Sequence, residues 1–168
     1  MPLKLIENIW KSNENGLGFY LINIFQKFDT DLSLKNLLQS NILNDTQFGD
    51  YKLESIPDPT KVYGSIILDK IEVSDFKILD FQELRDEISE YWKDDNWGAD
   101  LPIFKENFEI AIKKLYEYSE NKRTYYYINI EKINPEKLAK PNFFTYLISI
   151  ISTLENSDKI ITLTFGLD

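Results

Sequence analysis

Apolar side chains recur along this chain first in a helical rhythm. Leu17, Tyr20, Leu21, Ile24, Phe25 and Phe28 fall at i, i+3, i+4, i+7, i+8 and i+11, which predicts one helix face. Gly16 and Gly18 stand before or at its start. Leu34, Leu37, Leu38 and Leu43 predict a second short helix, with Asp31 or Ser33 as its N-cap. Residues 44–61 hold Gly49, Pro57, Asp58 and Pro59, which predict a linker and a boundary near residue 60. Tyr51 to Glu54 would be a short edge strand within it.

Beyond that boundary, Ser65 to Leu68 reads as a buried strand. Asp80-Phe81-Gln82-Glu83 is a capping-box pattern, followed by Leu84, Ile88 and Tyr91 or Trp92 as an apolar stripe. A further helix runs from about Pro102 to Ser119, with Phe104, Phe108, Ile112, Leu115 and Tyr118 inward. Tyr125 to Ile130 has the aromatic and β-branched content of a strand. With a period of two, Tyr125 and Tyr127 share one face and Tyr126 takes the other. Pro135 to Ala139 predicts one helical turn. Pro141 opens a predicted helix to about Leu154 that is apolar nearly all round. Lys159 to Phe165 closes as a strand.

From residue 64 the order is β-α-α-β-α-α-β. Strands joined through helices predict an α/β fold, a small parallel sheet of about three strands packed with helices. The expected organisation is a mainly helical N-terminal extension over 1–60 and an α/β domain over 61–168.

Composition narrows the chemistry. There is no Cys and no His, so disulfides, thiol nucleophiles, Cys/His zinc sites and imidazole acid–base chemistry are excluded. No phosphate-binding glycine loop or nucleophile elbow is present. No run reaches the roughly 18 apolar residues of a membrane span, and a cytoplasmic location is expected. The net charge of −9 disfavours nucleic acid as a direct ligand. That charge is concentrated: residues 69–109 carry 13 acids and 5 bases, while the flanking segments are nearly balanced. Such a field attracts and steers a basic partner.

The densest part is the stretch from Asp94 to Phe104, between two predicted helices. Asp94, Asp95, Asn96, Trp97, Gly98 and Asp100 make an aromatic–glycine turn bordered by acids. Ile103, Glu106 and Glu109 follow on the helix it opens. These nine residues are the candidate partner-binding set. As a calcium loop starting at Asp94 the stretch fails, because Ala99 falls at the glycine position and Lys105 at the bidentate acid. Acids in a first helical turn are also favoured by the helix dipole, and Asp100 suits an N-cap. Glu83, Glu87, Glu90 and Asp94 repeat at i, i+4, i+7 and i+11, either a solvated helix face or part of the same patch.

Residues 64–166 resemble the barstar family of small bacterial ribonuclease inhibitors. Three stretches carry the likeness: Ile78-Leu79-Asp80-Phe81-Gln82-Glu83-Leu84, Trp97-Gly98-Ala99-Asp100-Leu101 with Phe104, and the closing Ile160-Ile161-Thr162-Leu163-Thr164. In that family a turn and the second helix enter the ribonuclease active site, and acids stand in for substrate phosphate. The resemblance implies that Asn96, Trp97 and Gly98 form the turn and that Glu106 reaches deepest. Asp100 stands where the family has Asn, and Glu109 lies where it has a polar contact. Pro102 occupies the place of one family acid, and Lys105 that of a Trp.

The resemblance and the charge placement together imply an immunity protein that blocks a cognate bacterial toxin, a ribonuclease by the family pattern. The alternative is a non-inhibitory interaction or regulatory module that docks a basic partner. A small carboxylate enzyme is a third reading, but no catalytic residue is nominated. No cofactor and no metal are expected.

Overall fold

The computed structural model describes residues 3–12, 18–28, 33–40, 42–43, 61–93, 101–117, 122–140, 142 and 144–167. The first apolar run is not a helix. Leu3–Ser12 (β1) and Gly18–Lys27 (β2) form an antiparallel pair. Leu34–Gln39 (α1) follows, then a small hairpin of Val62–Tyr63 (β3) and Ile66–Ile67 (β4). Lys77–Leu79 (β5) leads into Phe81–Tyr91 (α2) and Leu101–Glu117 (α3). Thr124–Asn129 (β6), Tyr146–Thr153 (β7) and Lys159–Leu167 (β8) complete the chain.

Six strands make one sheet in the order β1-β2-β8-β7-β6-β5. Every neighbouring pair in it is antiparallel. The expected parallel sheet of about three strands is therefore wrong, and so is the barstar-like fold it stood for. The expected mainly helical N-terminal extension is wrong as well. β2 lies against β8, from Gly18 opposite Leu167 to Gln26 opposite Lys159, so the N-terminal hairpin is part of the sheet.

Two segments account for the error. The predicted helix at 17–28 is β2, and the predicted helix at 141–154 contains β7. Both strands are central and covered on both faces, so apolar residues fill consecutive positions. A continuous apolar run contains the helical spacing as a subset, and periodicity cannot separate the two. In β2, Tyr20, Ile22 and Ile24 face one core while Phe19, Leu21 and Phe25 face the other. The expected buried strand at Ser65–Leu68 shrinks to β4, outside the main sheet.

The remaining elements stand close to the positions that local signals mark. Asp80 caps α2 by accepting from the Glu83 amide at 2.8 Å, and Glu83 accepts from the Asp80 amide at 2.8 Å. Ser33 is the N-cap of α1 but makes no side-chain capping bond. Tyr125 and Tyr127 face one core and Tyr126 the other, as strand alternation requires. Of the expected linker over 44–61 all but residue 61 lies outside the described residues, and so does the expected edge strand at Tyr51–Glu54.

Two cores flank the sheet. On one face, Leu84 and Ile88 of α2 join Phe104, Phe108, Ile112 and Leu115 of α3. α3 lies across β2 and β8, and α2 lies on β5 and β6. On the other face, Leu34 and Leu37 of α1 join the β3–β4 hairpin and the loops around Phe76, Ile133 and Phe144. Among the described residues, no helix is long and apolar enough to cross a membrane.

Candidate interaction surface

α2 and α3 bury their apolar stripes in the sheet and turn their remaining faces outward. Side by side, they form one layer. Residues 80–109 carry ten acids against three bases. All three bases are engaged within the layer. Arg85 reaches Glu109 at 3.1 Å and lies 5.9 Å from the centre of the Phe81 ring. Lys93 pairs with Glu90, one turn back on the chain. Lys105 lies 5.4 Å from the centre of the Trp92 ring. Trp92 is itself fixed edge-on against Phe108, with ring centres 4.9 Å apart.

This leaves two groups of carboxylates. Asp80 and Glu83 are occupied in the cap of α2. Asp86 and Glu106 are exposed and meet no base among the described residues, Asp86 accepting only from the Gln82 side-chain amide at 2.9 Å. Glu109 is half satisfied by Arg85, and Ile103 is half-buried. Asp94, Asp95, Asn96, Trp97, Gly98 and Asp100 lie outside the described residues, so Ile103, Glu106 and Glu109 are the described members of the candidate set.

Glu87 proves not to belong to the outward patch. Its side chain is 16% exposed and accepts from Lys77 at 2.6 Å and from Lys132 at 2.7 Å. Burial alone would raise its pKa, but the hydrogen bonds from Lys132 and Lys77 hold it below the ordinary carboxylate value. Glu87 therefore stays ionised and pins α2 to β5 and to the turn after β6. Those two lysines also border a cleft of about 230 Å³ whose floor includes Tyr127 and Asn129. The Asn129 amide donates to the Tyr127 hydroxyl at 3.3 Å, and burial raises the Tyr127 pKa, so the phenol remains protonated.

Asp75, which also lines this cleft, accepts from Lys137 at 2.8 Å, and Lys137 reaches Glu72 at 3.1 Å. Its hydrogen bonds to Asp75 and Glu72 raise its pKa. Lys77, Lys132 and Lys137 carry no signal in the sequence. Lys77 lies on β5 and Lys132 and Lys137 on two successive turns between β6 and β7, and no local pattern announces which acids they meet. They neutralise Glu87, Asp75 and Glu72, and none of them reaches Asp86 or Glu106.

None of the family models, curated proteins and solved structures compared with the chain matches it. The surface must therefore be read from its own chemistry. Among the described residues, no cluster of three or more acids gathers as a metal-binding group.

Proposed function

We propose that this protein works by binding, and that its α2–α3 layer covers a basic surface on another protein in the manner of an immunity protein blocking a toxin. The observation that carries the reading is the exposed pair Asp86 and Glu106, in a layer whose own three bases are already engaged. A basic partner supplies the missing counter-charges. The sequence between the two helices adds Asp94, Asp95 and Asp100, with Trp97 as an apolar anchor. Like-charge crowding of this kind speeds encounter with a cationic cleft more than it strengthens the fold. A nuclease active site, built to hold phosphate, is the cationic cleft that this chemistry fits best.

The test is capture from lysate and secreted protein of the source cell, with the native chain and an Asp86→Lys, Glu106→Lys variant as paired baits. The expected catch is a basic protein released by salt, absent from the variant, whose RNA cleavage stops when the native chain is added. A partner held equally by both baits would move the interface off this layer. A basic partner with no activity to block would favour a docking module over an inhibitor.

A further inference from the structure

The opposite margin of the α3 layer carries the opposite charge, beside an open sheet edge. β1 is the terminal strand and, among the described residues, pairs only with β2. One row of its backbone N–H and C=O groups therefore faces away from the sheet. A register irregularity between Leu5 and Glu7 interrupts the first part of the strand, and the pairing is regular from Glu7 to Ser12. Next to that regular half, between the sheet and α3, lies a cleft of about 310 Å³ lined by Ile9, Tyr20, Ile22, Ile110, Lys113 and Lys114.

The lining is specific in two ways. Ile110 is 47% exposed, well outside the buried stripe of α3, and it stands across the cleft from Ile9. Lys113 and Lys114 border the cleft on the helix side, and Lys11 lies on the same strand face as Ile9, with Glu7 on that face at the far end of the regular half, so bases outnumber acids around the cleft. Lysines on an edge strand often only blunt it against aggregation. That role does not call for an apolar cleft beneath them. A second copy pairing antiparallel through β1 about Ile9 would set Glu7 against Lys11 but would bring no acid to Lys113 on the helix side, so the helix border of the cleft favours an acidic occupant over a second copy.

We infer that the groove between β1 and α3 takes an extended, acidic segment of a partner protein as a seventh strand. The segment's backbone would pair with Asn8–Ser12, one apolar side chain would enter the cleft between Ile9 and Ile110, and flanking carboxylates would meet Lys11 and Lys113. Strand addition of this kind draws affinity from main-chain hydrogen bonds and selectivity from alternate side chains. The site is separate from the acidic layer and of opposite charge.

The probe is a displayed library of random nine-residue peptides, selected against the native chain. The expected consensus is an apolar residue between Asp or Glu residues. Bound peptide should slow hydrogen exchange of the amides between Asn8 and Ser12 at least tenfold. Lys113→Glu and Ile110→Asp, both at exposed positions, should each weaken binding at least tenfold, while Glu106→Lys should leave it unchanged. The inference is overturned by a selection that yields no peptide above background. It is equally overturned by peptides that bind Lys113→Glu as well as the native chain, by protection confined to other strands, or by a small amphiphilic anion such as dodecanoate binding where no peptide does.

Discussion

Arg85 on α2 and Glu109 on α3 lie 3.1 Å apart, so one carboxylate of the candidate binding set is already shared with its neighbouring helix. Glu106, one turn earlier on α3, has no such partner among the described residues. The two acids should therefore behave differently. Exposed ion pairs contribute about 0.2–1 kcal/mol. Arg85→Ala and Glu109→Ala should each cost no more than about 1 kcal/mol in urea unfolding, with a coupling in the double-mutant cycle of the same size or less. In partner capture, Glu106→Lys should weaken retention more than Glu109→Lys. Equal effects would mean that Arg85 does not restrain Glu109.

Glu87 sets an acid limit on stability. Its pKa lies below the ordinary value of 4.5 because Lys132 and Lys77 hydrogen-bond the ionised form. A carboxylate lowered in the folded state stabilises fully above its unfolded pKa and loses that stabilisation as pH falls through the folded pKa. Glu87→Gln should therefore be less stable than the native chain near neutral pH, and the gap should close as pH drops below 4.5. A gap that stays constant down to about pH 3 would show that the two lysines do not favour the ionised form.

Gly64 turns the β3–β4 hairpin with a φ of 56°. A Cβ at that position would lie 2.6 Å from Leu147 Cδ2 and 3.3 Å from Phe144 Cε2. Gly64→Ala should destabilise by about 1–3 kcal/mol, from the left-handed backbone and the clash with the central strand β7. The adjacent Tyr63 hydroxyl lies 2.6 Å from Thr164 Oγ1, in a buried line that continues to Ser149 at 2.8 Å. Tyr63→Phe should cost about 1 kcal/mol, since it removes one hydrogen bond and leaves the ring in place. A larger loss for Tyr63→Phe than for Gly64→Ala would contradict this ranking. Thermal or urea unfolding measures both.

Arg123 is 3% exposed, just before β6. Its Nε donates to the Ser152 hydroxyl at 2.6 Å, and one terminal nitrogen donates to the Ser152 and Lys159 carbonyls at 2.9 and 3.2 Å. Burial lowers its pKa. The guanidinium thereby ties β6 to the ends of β7 and β8. Arg123→Met keeps the apolar stem and removes the donors, so it should cost about 2–3 kcal/mol in urea unfolding. A neutral result would mean that water replaces the lost donors at the ends of β7 and β8.

Local chemistry determined several elements of this protein by itself. The Asp80–Glu83 capping box starts α2, the spacing of Phe104, Phe108, Ile112 and Leu115 makes α3 amphipathic, and the alternation through Tyr125, Tyr126 and Tyr127 makes a strand. The charge imbalance of the α2–α3 region was equally legible, because counting acids needs no coordinates. The identity of β2 and β7 was not. Each is apolar at successive positions because each is covered on both faces, and only the neighbouring strands and layers say so. The antiparallel order followed from that, since β2 must pair with β8 across nearly the whole chain length. The same holds for the surface. Helical spacing put Glu87 among the outward acids, but Lys77 and Lys132 claim it from β5 and from the turn after β6. Which acids remain open to a partner is a question of which distant lysines arrive beside them, and only the folded chain brings those together.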